Sequence, residues 1–187
     1  MRSQLVLCSL ALVCVSASAA EPAVPSASFA ADFVQTRTLP GFSTPLVSHG
    51  DMGYDTTRDF HWEITQPYHY LFVMNGKQAH EELPDGTKRD LDPDQTPWLA
   101  AVEHIFIGAL SGDRAQLQSY FGVVSKPASG GGDKLTLTPK PGAIANAITR
   151  IEVTESAPGR PQHLEIFETS GGHMDIRFTP TEGHGKP

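Results

Sequence analysis

Apolar and polar residues alternate through most of the chain after Phe29, in short runs separated by glycine, proline, asparagine and aspartate. Phe60, Trp62 and Ile64 fall on one side of such a run, with polar residues between them. The same alternation recurs at three later places: Leu135 and Leu137, Ile151 and Val153, and Met174, Ile176 and Phe178. Because successive side chains of a strand point to opposite faces, these runs predict an antiparallel sheet with one covered face.

Residues that tolerate a positive φ separate the predicted strands, as tight turns require. They occur at Asn75-Gly76, Asp85-Gly86 and Ser170-Gly171-Gly172, and they predict hairpins in a meander. The glycine cluster at residues 130–132 and the proline-rich residues 157–161 predict longer exposed loops.

One segment has a helical period instead. Thr96 followed by Pro97 is a favourable helix start, and the apolar residues that follow recur at helical spacing: Trp98, Leu99, Val102, Ile105, Phe106, Ala109 and Leu110. A second short helix is predicted at residues 113–120 and a third near residues 143–147. The order is therefore several strands, a helical insert at about residues 97–120, and several more strands.

The N-terminal 19 residues have the pattern of a secretory signal peptide. Arg2 precedes an apolar run from Leu5 to Val15, and the sequence Ala17-Ser18-Ala19 predicts cleavage near Ala19. The run is too short for a transmembrane helix. Residues 20–187 are then expected to form a single exported domain.

Composition excludes several classes of function. Both cysteines, Cys8 and Cys14, lie in the leader, so the remaining chain has no disulfide or thiol chemistry. The formal net charge is −7, and an acidic protein does not hold nucleic acid by charge alone.

Motifs that would carry catalysis or metal binding are weak. Ser48-His49-Gly50-Asp51 contains the residue types of a hydrolase triad, but adjacent side chains of a strand point to opposite faces. The eight histidines show none of the common ligand spacings. Asp90-x-Asp92-x-Asp94 starts like a calcium loop, but Gln95 stands where the glycine is needed. We therefore expect no catalytic residues, no metal and no cofactor.

Residues 33–76 resemble one protein family in the order and spacing of their motifs. The motifs are Phe33-x-Gln35, Gly50-Asp51, Phe60-x-Trp62 followed by Thr65-Gln66-Pro67, and then the strand and turn ending at Asn75-Gly76. Together they resemble the periplasmic outer-membrane lipoprotein carriers (LolA-like proteins), in a short and divergent branch. The resemblance implies a mainly β fold with a helical lid, that is, an unclosed antiparallel half-barrel covered by short helices.

The resemblance also implies a function without catalysis. Such a carrier is soluble and periplasmic, shields the acyl chains of a lipoprotein or other lipid, and passes it from an inner-membrane donor complex to an outer-membrane acceptor. We expect a monomer. The expected cavity lining is Phe60, Trp62, Leu71, Val73, Trp98, Val102, Ile105, Phe106, Leu110, Ile166 and Ile176. The family's lid arginine aligns with Thr56 here, and Arg58, two residues on, is the expected lid latch.

Two alternatives from other classes remain open at the level of sequence. One is a small periplasmic hydrolase on the same fold, and the other is a protein-binding accessory module with a solid core. Residues 68–74 are apolar on both faces of a predicted strand, which fits either a strand buried on both sides or one whose second face meets cargo or a partner.

Overall fold

The computed structural model describes residues 28–55, 59–75, 78–92, 108–110 and 112–181. These residues form eleven strands: β1 (Phe29–Thr38), β2 (Leu46–Tyr54), β3 (Asp59–Gln66), β4 (Tyr70–Asn75), β5 (Gln78–Glu82), β6 (Lys88–Leu91), β7 (Phe121–Pro127), β8 (Asp133–Pro139), β9 (Ile148–Ala157), β10 (Arg160–Glu168) and β11 (His173–Pro180). Three short helical elements accompany them: α1 (Gly108–Leu110), α2 (Arg114–Tyr120) and α3 (Ala143–Ala147).

All eleven strands belong to one antiparallel sheet. Its order is β6-β5-β4-β3-β2-β1-β11-β10-β9-β8-β7, so two meanders meet where β1 pairs with β11. Within the described residues β6 and β7 are the two end strands and do not pair with each other. The sheet is thus unclosed, and the predicted half-barrel fold with few short helices is confirmed.

This topology determines where the insert between the two meanders runs. The chain leaves β6 at one end of the sheet and enters β7 at the other end. The described part of this connection contains α1, which contacts β10, and α2, which packs against β7. Leu117 of α2 is fully buried in the hydrophobic core. The connection therefore covers part of the same face of the sheet that carries the core.

We call that face the inner face. It presents one apolar row after another across ten strands, including Phe29, Ala31 and Phe33 of β1, Met52 of β2, Phe60, Trp62 and Ile64 of β3, Phe72 and Met74 of β4, Ala79 of β5, Phe121 of β7, Leu135 and Leu137 of β8, Ile151 and Val153 of β9, Leu164 of β10, and Ile176 and Phe178 of β11. The opposite face, the outer face, carries histidines, carboxylates and basic residues in cross-strand ion pairs. Burial of one face alone is what the period-two alternation predicts.

The predicted short helices are present. At α2 the carboxylate of Asp113 accepts a hydrogen bond from the backbone N–H of Gln116 at 3.0 Å, which caps the helix start. The element at Ala143–Ala147 also matches its prediction. In the part of the chain that is described, no helix combines the length and apolar composition needed to cross a membrane.

One loop prediction was wrong. Residues 157–161 do not form a long loop, because β9 ends at Ala157 and β10 begins at Arg160. Pro158 and Gly159 make a two-residue turn between them, and Gly159 supplies the positive φ of 75°. Proline and glycine side by side thus mark a tight hairpin here.

Candidate functional site

An aromatic stack lies at the centre of the inner face. The rings of Phe33 and Trp62 stack with centroids 3.8 Å apart, and Trp62 also meets the Phe178 ring edge-on at 6.5 Å. Phe33 belongs to β1 and Trp62 to β3, so the stack spans the intervening strand β2. Trp62 keeps 9% of its surface exposed, the largest fraction among the buried core residues.

Gly50 explains how two rings from next-nearest strands can touch. It pairs with Phe33 on one side and with Ile64 on the other, in the strand between the two rings. A Cβ at this position would lie 2.7 Å from the tip of the Phe33 ring and 1.8 Å from the backbone oxygen of Glu63. Only glycine leaves room for this packing. The three motifs Phe33-x-Gln35, Gly50-Asp51 and Phe60-x-Trp62 therefore meet in one packing unit.

Four of the predicted lining residues share the inner face. Phe60 and Ile176 are each 1% exposed, Trp62 lies in the stack, and Ile166 is partly buried against the core. Ile166 pairs with Met174 and Ile176 with Leu164, so both isoleucines follow the inner-face rows of β10 and β11. The sheet thus brings side chains from β3, β10 and β11 onto one apolar surface.

The register separates Leu71 and Val73 from this group. Leu71 pairs with Glu63 and Val73 with His61, whereas Phe72 pairs with Trp62. Since neighbouring residues of a strand face opposite ways, both aliphatic side chains lie on the outer face. There they line a shallow groove with polar and charged residues of β5 and β6, among them His80 and Asp90. Val73 also lines a cavity at the end of the sheet where β3 begins.

The remaining predicted residues lie outside the described part of the chain. These are Trp98, Val102, Ile105 and Phe106 of the expected lid and the expected latch Arg58. Leu110 ends α1, but only its backbone is described.

A buried ion pair ties the insert to the sheet. Nη2 of Arg114, the first residue of α2, donates to Oε2 of Glu155 in β9 at 2.7 Å. The Glu155 side chain is fully buried, and the Arg114 side chain is 28% exposed. Burial raises the pKa of the Glu155 carboxyl, while the neighbouring Arg114 opposes that rise. Each partner keeps one buried polar atom, Arg114 Nη1 and Glu155 Oε1, without a hydrogen bond among the described groups.

A second buried carboxylate with polar partners lies near the opposite end of the sheet. Glu81 of β5 is 6% exposed, accepts a 3.0 Å hydrogen bond from the Tyr70 hydroxyl and pairs with Arg89 of β6. Burial, followed by the charge of Glu81, raises the pKa of Tyr70 above its usual range. Glu81 thus lies on the covered side of β5, although the run His80-Glu81-Glu82 is polar enough to suggest a solvated strand end.

The sequence indicates that both glutamates, Glu155 and Glu81, are buried. Glu155 lies an even number of residues from Ile151 and Val153 on the same strand, and Glu81 lies two residues from Ala79, so each continues an apolar row. A glutamate that continues an apolar row is expected on the covered face, where it needs a basic or hydroxyl partner. Sequence reasoning missed them because those partners come from distant or facing segments.

A cavity lies at the end of the sheet where β1 and β3 begin and β2 ends, and its volume is about 390 Å³. Residues of both faces line it, with Phe29, Tyr54 and Phe60 from the inner face and His61 and Val73 from the outer face. This volume falls in the range of about 300–1,000 Å³ that is typical of small-molecule sites.

The fold places the serine and the histidine of the possible hydrolase motif on opposite faces of the sheet. Ser48 is 4% exposed on the inner face, whereas its neighbour His49 is exposed on the outer face. The hydroxyl and the imidazole therefore point to opposite sides of β2, as the alternation of a strand predicts.

Comparison with known proteins agrees with this architecture. The family of the outer membrane lipoprotein carrier protein LolA matches residues 25–186 of the chain. The chain belongs to this family. The family resemblance predicted from the sequence motifs is confirmed. An outer-membrane lipoprotein carrier protein from Chromohalobacter salexigens is 26% identical over 159 residues, which make up 84% of this chain and 71% of that protein.

Solved structures of similar shape have low sequence identity. A LolA superfamily protein from Nitrosomonas europaea is 12% identical with a TM-score of 0.42, over 87% of this chain and 89% of that one. A chain of the MucA/MucB complex from Pseudomonas aeruginosa is 14% identical with a TM-score of 0.48, over 85% of this chain and 53% of that one.

Proposed function

We propose that this member of the lipoprotein carrier family is a periplasmic carrier without catalytic activity. It shields the acyl chains of a lipoprotein or another lipid against the inner face and delivers the cargo towards the outer membrane. The observation that carries the proposal is the largely apolar inner face of an unclosed sheet. Within the described residues, α1 and α2 of the connection between the two end strands cover part of it. Family membership supports the same assignment.

The energetic requirement for such a carrier is large. Each methylene group removed from water contributes about 0.8 kcal/mol, so one long acyl chain exposed in water costs on the order of 10 kcal/mol. An apolar surface of the size of the inner face can offset that cost without any covalent bond. Phe60, Trp62, Ile166 and Ile176 are the described residues proposed to contact the chains.

Entry and release need the cover to move relative to the sheet. The connection between β6 and β7 is the element proposed to act as the lid, with Trp98, Val102, Ile105, Phe106 and Leu110 as its apolar residues. The Arg114–Glu155 pair anchors its C-terminal end, so the hinge is expected there and the moving part before it. The donor at the inner membrane and the acceptor at the outer membrane would meet the opened lid.

Lipid carried by the purified protein tests this function. The chain is exported in a Gram-negative host, purified without detergent, extracted with organic solvent and examined by mass spectrometry, and its binding of a fluorescent fatty acid is measured in parallel. We expect bound lipid and dye binding. Ile166→Glu, which puts a carboxylate on the inner face, abolishes both, whereas Val34→Glu, at an exposed outer-face position, retains both.

Other outcomes identify the alternatives. An empty protein that ignores the dye, with Ile166→Glu behaving like Val34→Glu, contradicts the carrier and favours a protein-binding module with a solid core. Release of free fatty acid from an added acyl ester, proportional to protein and to time, contradicts a function without catalysis.

A further inference from the structure

The outer face carries a cluster of potential metal ligands on β10 and β11, away from the proposed cargo surface. His163 and Glu165 lie two residues apart on β10, and His173 and Asp175 lie two residues apart on β11. Residues at this spacing share one face of a strand. Glu165 pairs directly with Asp175 across the two strands. The antiparallel register therefore places the two carboxylates side by side, with His163 diagonally next to Asp175 and His173 diagonally next to Glu165.

The distances between these groups are short. Nε2 of His163 lies 2.8 Å from Oδ2 of Asp175, and Nε2 of His173 lies 3.3 Å from Oε1 of Glu165. One ligand atom from each of His163, Glu165 and Asp175 can be chosen so that all lie within 4.8 Å of one another. Around a tetrahedral ion bound at about 2.1 Å, ligand atoms are about 3.4 Å apart. Three of the four groups are thus already near the spacing that one ion requires.

Neighbouring groups restrain the position of His173. Its Nε2 atom is buried and makes no hydrogen bond of good geometry among the described groups, although Oε1 of Glu165 lies 3.3 Å away. The Phe167 ring stacks on the His173 imidazole with centroids 4.7 Å apart, and the Arg150 guanidinium lies 4.1 Å from the centroid of that phenyl ring. The imidazole is thus held in place beside the Glu165 carboxylate.

The carboxylates of the cluster belong to a longer row of charged residues. Glu152 of β9 pairs with Glu165, which pairs with Asp175, so three carboxylates form one row across three strands. Like charges directly opposite each other in a sheet are destabilising. Lys134 and Arg150 bind Glu152 at 2.6 and 3.0 Å, and Arg177 lies 3.4 Å from Asp175. The Glu165 carboxylate, in the middle of the row, forms its ion pair with His173.

We propose that His163, Glu165, His173 and Asp175 form a binding site for one divalent transition-metal ion. Two imidazole nitrogens with two carboxylate oxygens are a donor set that suits Zn²⁺ and its neighbours better than Ca²⁺ or Mg²⁺, which prefer oxygen alone. The ion ties β10 to β11 on the face opposite the proposed cargo. No ligand motif marks the site because its ligands form two separate pairs on two strands.

Titration of the full, tag-free chain with Zn²⁺ tests the site, after treatment with a chelator and its removal. Calorimetry is expected to give one ion per chain, and Zn²⁺ is expected to raise the melting temperature by mass action. His163→Gln and Asp175→Asn each weaken binding by at least about tenfold, the loss that even an outer-sphere substitution can cause. His61→Gln is the matched control, because it breaks the similar outer-face pair with Asp51 at 3.3 Å.

Several results would overturn the proposal. They are the absence of Zn²⁺ binding, equal weakening by His61→Gln and His163→Gln, or a response to Ca²⁺ with none to Zn²⁺. If a variant fails to fold, the wild-type chain decides by NMR. The ring signals of His163 and His173 must then shift at lower Zn²⁺ concentration than those of His49, His61 and His69, and a uniform response of all the rings contradicts the site.

Discussion

Replacing Arg114 by methionine removes the basic partner of a fully buried carboxylate. Arg114 binds Glu155 at 2.7 Å, and the Glu155 side chain has no exposed surface. Removing one partner of a buried ion pair costs about 3–5 kcal/mol, because the other charge is left uncompensated. Methionine keeps much of the length of the arginine stem, so little of that cost comes from lost packing. We expect Arg114→Met to lower the free energy of unfolding by about this amount near neutral pH.

The cost of Arg114→Met should depend on pH in a defined direction. Burial already raises the pKa of Glu155, and the substitution removes the guanidinium that opposes the rise. A carboxyl whose pKa is raised by folding stabilises the fold below its unfolded pKa, and this contribution is lost as the pH rises through the folded pKa. The penalty is therefore largest at neutral pH and becomes smaller as the pH falls, because a carboxyl with a raised pKa takes up a proton before an ordinary one does.

Urea unfolding followed by tryptophan fluorescence measures these differences. Lys88→Met is the matched control, because Lys88 is 77% exposed in its pair with Glu82, and exposed pairs contribute about 0–1 kcal/mol. The double variant Arg114→Met/Glu155→Met should recover most of the loss, since it leaves no buried charge. A loss below about 1 kcal/mol in Arg114→Met, or a loss that does not change between neutral and mildly acidic pH, would refute the reasoning.

Two further predictions concern the inner face. Gly50→Ala should destabilise the fold by about 1–3 kcal/mol through overpacking, because the new Cβ would lie 1.8 Å from the Glu63 backbone oxygen. Thermal melting compares it with Gly122→Ala, whose Cβ meets nothing closer than 3.8 Å. Equal melting temperatures of the two variants would disprove the packing argument. Leu137→Ala should lower the free energy of unfolding by about 2–5 kcal/mol, since Leu137 has no exposed surface. In the same urea assay Val124→Ala, at a position that is 54% exposed, should change it by no more than about 0.5 kcal/mol. A similar loss in both variants would show that Leu137 is not part of a packed core.

Much of the fold could be predicted because it depends on local patterns. The alternation of Phe60, Trp62 and Ile64 identified the buried side of β3, and Asp113 marked the start of α2. The motifs that carried the family resemblance also have a physical basis. Gly50 gives Phe33 and Trp62 room to stack, so their order along the chain follows from one packing unit.

The parts that escaped prediction depend on pairing between distant segments. Leu71 and Val73 looked suitable for a cavity because they are apolar, but only the register assigns them to the outer face. The buried Glu155 carboxylate pairs with Arg114, which lies 41 residues earlier in the chain. The potential metal ligands on β10 and β11 share one site only through the pairing of their strands. The partners of these residues become visible only when the sheet is assembled, although the place of Glu155 in an apolar row already indicated a buried carboxylate.

Contact between cargo and the inner face is tested most directly by the fluorescence of Trp62. The substitution Trp98→Phe leaves Trp62 as the single tryptophan of the chain, and a fatty acid brominated along its acyl chain quenches only an indole that it touches. We predict that the brominated acid quenches Trp62 emission in a saturable way, while the unbrominated acid does not. Two results would contradict a lipid-carrying inner face. One is that neither acid binds, and the other is that the brominated acid leaves the Trp62 emission unchanged at concentrations at which the unbrominated acid saturates the protein.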